Sequence, residues 1–340
     1  MKLIVKLTAA LLLSTTPAMS QILPGFDHLT VDAPHRPRAI EANVWYPAAS
    51  TTYTLPIGAN PVFVGTMVQV GPAVATGTHP LVIISHGSGG NIDNLGWLAE
   101  GLVARGAIVA GLNHPGATSG DSSPRRFAEV GLRVADLAAL TATLTADPSF
   151  GSAINPASIT ALGFSMGGAT ALAAGGARIN RAAFGAYCEQ FGTDSPACLF
   201  LAKGGVDPHA LPPEIEADMT VPAFARIIAV DPALSYTMTD QSLAAMAPEV
   251  HLITLGEGEA VWHAVDIGPE GSNLAARIPR ATRSVIAPAW HFTFLGLCTP
   301  DAPAMLISEG EEAICDDPKG ADRRAIHDQI IADVATRIGL

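Results

Sequence analysis

A serine between two glycines carries the clearest chemical signal in the sequence. The pentapeptide Gly163-Phe164-Ser165-Met166-Gly167 follows the apolar run 158–162 and precedes the small-residue stretch 169–174. A G-x-S-x-G pattern between a strand and a helix is typical of a sharp turn that exposes one serine hydroxyl. Glycines are favoured there because flanking side chains would crowd the neighbouring backbone. The pattern predicts that Ser165 is a nucleophile, with the Met166 N–H placed where negative charge would develop.

A serine hydroxyl needs a base to take its proton, and the base needs an acid to orient it. In chains with this turn the acid and then the histidine follow the serine. His291 comes directly after the last strand pattern and is predicted to be the base. His263 lies too close to the preceding strand, and His327 is expected on the charged, solvated face of the terminal helix.

The acid has more than one candidate. Asp231 ends the strand pattern 223–230 and precedes Pro232, which would place its carboxylate at the carboxyl edge of the sheet beside the serine. Glu257 and Glu259 end the following strand pattern. Asp231 is preferred because a short side chain suits a strand end, and Glu257 and Glu259 remain alternatives.

A developing oxyanion needs two preorganised N–H donors. Met166 is expected to supply one, and Ser88, in the glycine-rich segment 86–90 after an apolar strand, is expected to supply the other. The segment lacks the Gly-Lys-Ser/Thr ending of a phosphate-binding loop. His86 and His114 precede the nucleophile in the chain and are expected to form walls or brace loops.

Strand and helix patterns alternate along the chain, which predicts an α/β domain over residues 21–340 with a mostly parallel central sheet flanked by helices. The predicted strands are 39–47, 80–85, 107–112, 158–162, 223–230, 250–255 and 283–287, and the predicted helices are 95–105, 127–144 and 323–338. The first strand, 39–47, is expected to be partly exposed. Residues 177–220 interrupt the alternation and are expected to form an insertion after the nucleophile helix, either a small lid or a plain surface excursion.

The first twenty residues are expected to be a cleaved signal peptide, which predicts a periplasmic or secreted protein. They combine Lys2 and Lys6 with a short apolar core and a small-residue cleavage site at Ala18-Met19-Ser20. The apolar core is shorter than the roughly 20 residues that span a bilayer, so stable membrane insertion is not expected. The formal net charge of −12 disfavours nucleic acid as a partner.

The four cysteines are even in number, and an oxidising compartment would let them pair. Proximity in the sequence favours the pairs Cys188–Cys198 and Cys298–Cys315, and four buried thiols are the alternative. The spacings do not match a zinc site. No metal or organic cofactor is expected.

Several short motifs together resemble a known group of proteins. They are I-S-H-G-S-G-G at 84–90, N-H-P-G at 113–116, G-F-S-M-G-G at 163–168, A-V-D-P-A at 229–233 and H-F-T-F-L-G-L-C at 291–298. The sequence resembles exported bacterial α/β-hydrolases called predicted dienelactone hydrolases, which are similar to platelet-activating-factor acetylhydrolase. The resemblance implies the α/β-hydrolase fold, an acid at Asp231 and an oxyanion donor at Ser88. Dienelactone hydrolases use a cysteine nucleophile, and because Ser165 stands at that position ester hydrolysis is favoured.

The region around Ser165 is also similar to cutinase-like polyesterases. Those proteins carry an aspartate after the following strand, where this chain has Gly256-Glu257-Gly258-Glu259. The sequence therefore predicts a serine carboxylic ester hydrolase acting through an acyl-enzyme on a small-molecule ester. The alternatives are a lipase, a phospholipase, a polyesterase, or a non-catalytic binding protein on the same scaffold. The acyl group, the alcohol and the oligomeric state are not indicated.

Overall fold

The computed structural model describes residues 23–340, and the expected signal peptide, 1–20, lies outside them. The strands are β1 (Gly25–Val31), β2 (Ile40–Tyr46), β3 (Thr54–Ile57), β4 (Thr66–Val70), β5 (His79–Ser85), β6 (Ile108–Leu112), β7 (Ala117–Thr118), β8 (Asp121–Ser122), β9 (Ile154–Phe164), β10 (Arg226–Val230), β11 (Glu249–Leu255) and β12 (Thr282–Ile286). The helices are α1 (Gly96–Val103), α2 (Val130–Ala146), α3 (Met166–Ala174), α4 (Arg181–Phe191), α5 (Pro196–Lys203), α6 (Asp240–Ala244), α7 (Leu274–Arg277), α8 (Ala302–Glu309) and α9 (Arg323–Ile338).

Ten of these strands form one sheet in the order β12-β11-β10-β9-β5-β6-β2-β1-β4-β3. The strands from β12 to β6 run parallel to their neighbours, and β2 joins them antiparallel to β6. The carboxyl ends of β5, β9, β10 and β12 therefore meet at one edge, where ligands bind in open α/β sheets.

Both faces of the parallel part of the sheet are covered. In β5, Leu81 and Ile83 belong to the core under α2 and α3, whereas Val82 and Ile84 belong to the core under α1 and α9. Successive side chains of a strand point to opposite faces, so a continuous apolar run is what a doubly covered strand needs.

The expected strand 39–47 corresponds to β2, but the expectation that it is partly exposed is wrong. Six of its seven residues are buried, and Glu41 is the exception. Its alternating pattern indicated one solvated face. In the sheet β2 lies between β1 and β6, which makes it an interior strand.

The interruption at 177–220 contains α4 and α5. A disulfide joins Cys188 in α4 to Cys198 in α5, and a second joins Cys298 to Cys315 beside α8. The described part of the chain has no helix that is both long and apolar enough to cross a bilayer.

Candidate active site

Ser165 occupies a sharp turn between β9 and α3. Its backbone has φ 55° and ψ −119°, a conformation that L residues other than glycine seldom adopt and that costs on the order of 1–3 kcal/mol. Hydrogen bonds on both sides hold it there, because its N–H donates to the Val230 carbonyl and its carbonyl accepts from the N–H of Ala233, each at 2.9 Å. Neighbouring elements thus fix a strained serine at the carboxyl edge of the sheet.

The flanking glycines permit this turn by close backbone approach. A Cβ atom at Gly163 would overlap the carbonyl group of Gly167, and one at Gly167 would overlap the carbonyl of Ser85 in β5. Side chains at either position would push strand, turn and helix apart. The motif is therefore a packing requirement between β5, β9 and α3.

A histidine and a carboxylate from two other strand ends meet near this turn. His291 begins a short 3-10 turn after β12, and Asp231 directly follows β10. Nδ1 of His291 lies 3.1 Å from Oδ2 of Asp231, and both side chains are buried. The other carboxylate oxygen of Asp231 accepts a hydrogen bond from the Leu255 N–H at 2.9 Å.

Burial is the main influence on the Asp231 carboxylate. It raises the pKa of Asp231, whereas the hydrogen bonds from His291 and Leu255 act in the opposite direction. A buried carboxylate at one ring nitrogen fixes the imidazole orientation and favours a proton on that nitrogen. The rings of Phe164 and Trp262 pack against the His291 ring, with centroids 4.5 and 5.0 Å from its centroid.

The alternative acids do not take part in this contact. Glu257 and Glu259 are exposed in the turn after β11. Within residues 23–340 the carboxylate hydrogen-bonded to His291 belongs to Asp231.

The expectation that His327 is solvated is wrong. Its side chain is buried, its ring stacks on Trp97 with centroids 3.7 Å apart, and Nε2 lies 3.0 Å from the Thr293 carbonyl oxygen. His327 shares the inward face of α9 with Ile330 and Ile331, at the spacing of one helical turn. His263, in contrast, is exposed.

Two cavities open on the region between Ser165 and His291. The first, of about 300 Å³, has an aromatic and aliphatic wall that includes Phe127, Leu199 and Phe200. The second, of about 340 Å³, has a mixed wall in which Phe63, Leu295 and Leu306 lie beside polar residues. The polar residues are Asn91, Asn94, Ser119, Glu311 and Glu312. Ser165, His291 and the predicted oxyanion residue Ser88 line both cavities.

The predicted oxyanion residues lie on adjacent segments. Ser88 belongs to the turn that follows β5, and Met166 is the first residue of α3. Met166 is buried and lines the first cavity. A helix N-terminus favours negative charge, which suits the position of Met166.

Comparison with known proteins agrees with this architecture. The profile of the serine aminopeptidase family S33 matches residues 76–187. A ferulic acid esterase from Streptomyces cinnamoneus superimposes with a TM-score of 0.58 and 15% identity, covering 95% of this chain and 91% of the other. A puromycin-hydrolyzing peptidase from Mycobacterium tuberculosis gives a TM-score of 0.51 and 14% identity over 93% of this chain and 39% of that one. The chain has the α/β-hydrolase fold.

A dienelactone hydrolase from Anabaena variabilis is also similar, with a TM-score of 0.45 and 14% identity over 85% of this chain and 95% of that one. No curated protein sequence matched the chain. The family profile and the fold together support a serine hydrolase. The resemblance to the exported dienelactone-hydrolase-like group stays a prediction.

The walls of the α/β-hydrolase site include residues that the sequence reasoning did not single out. Tyr187 and Phe200 from the insertion line the first cavity, and so does Trp262 from the loop after β11. Single aromatic residues carry no periodic signal, and the helices α4 and α5 that hold Tyr187 and Phe200 were not predicted, which is why these residues were missed. A buried polar network under the turn after β5 was also missed, although Arg133 and Asp136 interrupt an apolar helix face in the sequence.

Among residues 23–340 no cluster of three or more histidine, cysteine, aspartate or glutamate side chains is arranged to hold a metal ion.

Proposed function

We propose that the protein is a carboxylic ester hydrolase in which Ser165, His291 and Asp231 act as nucleophile, base and orienting acid. The observation that carries the proposal is the placement of His291 between a buried carboxylate and the cavities that Ser165 also lines. An imidazole held in this way can take a proton from a serine hydroxyl on its other side.

In the proposed reaction His291 removes the proton of Ser165 as its Oγ attacks the acyl carbon. The oxyanion of the tetrahedral intermediate accepts hydrogen bonds from the N–H groups of Ser88 and Met166. His291 then gives its proton to the leaving alcohol, which leaves an acyl group on Ser165. Water, deprotonated by His291, attacks this ester and releases the acid.

The chemistry of the two cavities supports an orientation for the ester. We propose that the acyl group lies in the first cavity, against Phe127, Leu199 and Phe200, because its wall is aromatic and aliphatic. The alcohol would leave through the second cavity, past Asn91 and Asn94, which line that cavity and not the first. Burying apolar acyl carbons contributes roughly 0.8 kcal/mol per methylene, so acyl length is the first variable to measure.

We also propose a periplasmic or secreted location. The two disulfides, Cys188–Cys198 and Cys298–Cys315, fit an oxidising compartment. The proposed substrate is a small-molecule ester.

The test is turnover of p-nitrophenyl esters from acetate to palmitate by the wild-type protein and by Ser165→Ala and His291→Ala. Each variant is expected to lose about 10⁴-fold or more in kcat, because the members of such a triad act as a unit. The matched controls are Ser308→Ala and His263→Ala, whose side chains are exposed and line neither cavity. Ordinary turnover by Ser165→Ala would refute the proposal.

Two further measurements separate the alternatives. Labelling of Ser165 by a fluorophosphonate probe requires an activated serine, and no labelling together with no turnover would favour a non-catalytic binding protein. A preference for long acyl chains would favour a lipase or phospholipase, and release of soluble products from a polyester film would favour a polyesterase. Amino-acid p-nitroanilides test the peptidase activity named in the family profile.

A further inference from the structure

A buried charged network lies outside the contact between His291 and Asp231. Its centre is formed by Arg133 and Asp136 on α2, both of them buried, with Asp136 fully so. Burying a charged group is unfavourable unless it is paired and hydrogen-bonded. One nitrogen of Arg133, Nη1, is buried without a hydrogen-bond partner among residues 23–340, so stability alone gives little reason for an arginine here.

The contacts of Arg133 lead to the segment that carries Ser88. Nη2 of Arg133 donates to the backbone carbonyl of His86, two residues before Ser88, and to Ser85 Oγ at 3.1 Å. Arg133 thereby holds the end of β5 and the beginning of the turn that follows it.

The same guanidinium also reaches the beginning of α3. Nε of Arg133 donates to Thr170 Oγ1 at 2.9 Å, and that hydroxyl donates to the Met166 carbonyl at 2.9 Å. The two segments are in direct backbone contact as well, because a Cβ atom at Gly167 would overlap the carbonyl of Ser85. One side chain therefore connects the two segments to which we assign the oxyanion donors.

The rest of the network contains one carboxylate, that of Asp136, which offsets part of the positive charge of Arg133 and Arg36. Asp136 accepts hydrogen bonds from Arg36 Nη2 at 2.7 Å and from His114 Nδ1 at 2.9 Å, and His114 Nε2 lies 2.9 Å from Ser85 Oγ. Although burial alone would raise it, hydrogen bonds from His114 and Arg36 lower the pKa of Asp136 well below its usual value. His35, partly exposed at the outer end of the network, lies 2.7 Å from the same carboxylate.

The two histidines inside the network are neutral at pH 7. Burial, together with the positive charge of Arg133, lowers the pKa of His114 to about 4. Burial is the main cause that lowers the pKa of His86 well below its usual value, and His114 and Arg133 lower it further. Burial also lowers the pKa of Arg133 to about 9, which leaves it charged at neutral pH. At neutral pH the positive charge of Arg133 is therefore accompanied by two neutral imidazoles.

Ser85, His114 and Asp136 have the residue types of a second nucleophile, base and acid. Ser85 and His114 have no exposed surface and line neither cavity beside Ser165. An ester could not reach Ser85 Oγ, so these residues support the turn instead.

We infer that Arg133 is a positioning residue for the oxyanion hole: it fixes the Ser88 segment through the His86 carbonyl and the Met166 segment through Thr170. The inference rests on the proposed function. Oxyanion donors stabilise the transition state when they stand about 2.7–3.1 Å from the developing charge. A network that sets the separation of the two donors therefore contributes to kcat more than to substrate binding.

The test uses Thr170→Val, which removes the hydroxyl between Arg133 and Met166 and keeps the side-chain shape. Its kcat is expected to fall about 10-fold with KM within about twofold, less than the 10²–10³ lost when a donor is deleted outright. Thr170→Ser retains the hydroxyl and is expected to restore kcat. Active sites are counted by fluorophosphonate labelling, so that loss of folded protein is not mistaken for loss of rate.

The matched control is Thr141→Val. Thr141 is a buried threonine on α2 whose hydroxyl donates to the carbonyl four residues earlier, Leu137, as that of Thr170 does to Met166. It has no contact with the turn after β5 or with α3 through that hydroxyl, and its kcat is expected to stay unchanged.

A second readout is inhibition by an alkylboronic acid, which forms a tetrahedral adduct on the serine. Thr170→Val and Arg133→Lys are expected to weaken it by the same factor by which they lower kcat/KM, because lysine cannot contact the His86 carbonyl and Thr170 together. Unchanged kcat and boronate affinity in Thr170→Val would overturn the inference and leave the proposed function intact. If the wild-type protein has no Ser165-dependent turnover, the proposed function fails, and the inference fails with it.

Discussion

Asp231 is the candidate acid that the structure places in contact with the predicted base, His291. Its carboxylate is buried against His291, whereas Glu257 and Glu259 face solvent. We expect Asp231→Asn to lower kcat about 10⁴-fold, since the amide would favour the wrong imidazole tautomer. The measurement is kcat on the best p-nitrophenyl ester.

Glu257→Gln and Glu259→Gln serve as matched controls and are expected to keep kcat within about twofold, because exposed side chains away from the reacting groups have small effects. A large loss in either glutamine variant, with Asp231→Asn active, would move the acid to the turn after β11.

Gly167, the residue after Met166, allows a test of the packing at the sharp turn between β9 and α3. Gly167→Ala places a methyl group against the Ser85 carbonyl, which belongs to a buried strand that cannot move aside. We expect a loss of roughly 1–3 kcal/mol or more in the free energy of unfolding, together with lost turnover, measured by urea denaturation and by ester hydrolysis.

Gly131 in α2 is the control for that substitution. A Cβ atom there would meet the flexible side-chain end of Met219 at 3.6 Å, an ordinary contact. Gly131→Ala is expected to be neutral or to stabilise the helix by up to about 1 kcal/mol. Equal effects at both positions would show that a glycine at 167 is not needed for close approach.

The residues that could be predicted from the sequence are those tied to a local motif or to chain order. Ser165 stands in a five-residue pattern, and His291 follows the last strand pattern. In the structure both residues line the same pair of cavities. Arg133 could not be found in this way. Its partners, Ser85, His86 and Thr170, are distant in the chain and become neighbours only after the sheet has formed.

At the scale of elements, the parallel strands were predictable because buried strands are continuous apolar runs. The terminal helix was predictable from its amphipathic pattern. The predicted helix 323–338 coincides with α9. β3 and β4 were missed because most of their residues are exposed or only partly buried, so no strong apolar pattern marks them. The role of 177–220 was also undecidable, because whether α4 and α5 cover a cavity depends on contacts that periodicity does not encode.

The contacts of α4 and α5 lead to a prediction for that insertion. Both helices contribute residues to the first cavity, among them Tyr187 and Phe200, and a disulfide clamps them together. We expect the double variant Cys188→Ser and Cys198→Ser to flatten the dependence of kcat/KM on acyl length, because a looser wall discriminates less. The measurement is the ratio of kcat/KM values for butyrate and laurate p-nitrophenyl esters.

The control removes the other disulfide, Cys298–Cys315, which lies beside the second cavity. Since all substrates in the series share one alcohol, this variant is expected to keep the acyl-length profile. Each double variant should lose roughly 2–4 kcal/mol in the free energy of unfolding. A changed profile in the control and not in the first variant would reverse the proposed assignment of the cavities.

At the scale of the whole molecule, one edge of the sheet carries the candidate active site and is also packed against buried histidines that affect stability. The ends of β5, β9, β10 and β12 carry the Ser88 turn, Ser165, Asp231 and His291. The histidines packed around these ends, His86, His114 and His327, are buried. Because these histidines are buried, their protonation favours the unfolded chain over the native protein.

The free energy of unfolding is therefore expected to fall as the pH drops from about 6.5 to about 4. Burial lowers the pKa values of His114 and His327 to about 4, and an unfolded histidine titrates near 6.5. Below pH 6.5 the unfolded chain binds protons that the native protein does not, so each of these histidines removes up to about 1.4 kcal/mol per pH unit. The raised pKa of Asp231 acts in the opposite direction, because its native carboxyl binds a proton before the unfolded one does.

Urea denaturation at a series of pH values from 7.5 to 4.5 measures this dependence. His327→Gln is expected to make it shallower, since an amide can still donate to the Thr293 carbonyl that Nε2 of His327 contacts and does not titrate. The control is His263→Gln, at an exposed position, which should leave the slope unchanged. If His327→Gln left the slope equal to that of the wild-type protein, the imidazole of His327 would have to take up its proton at the same pH in the native and unfolded states. Below that pH its stacking on Trp97 would be a contact of a cation with an aromatic ring.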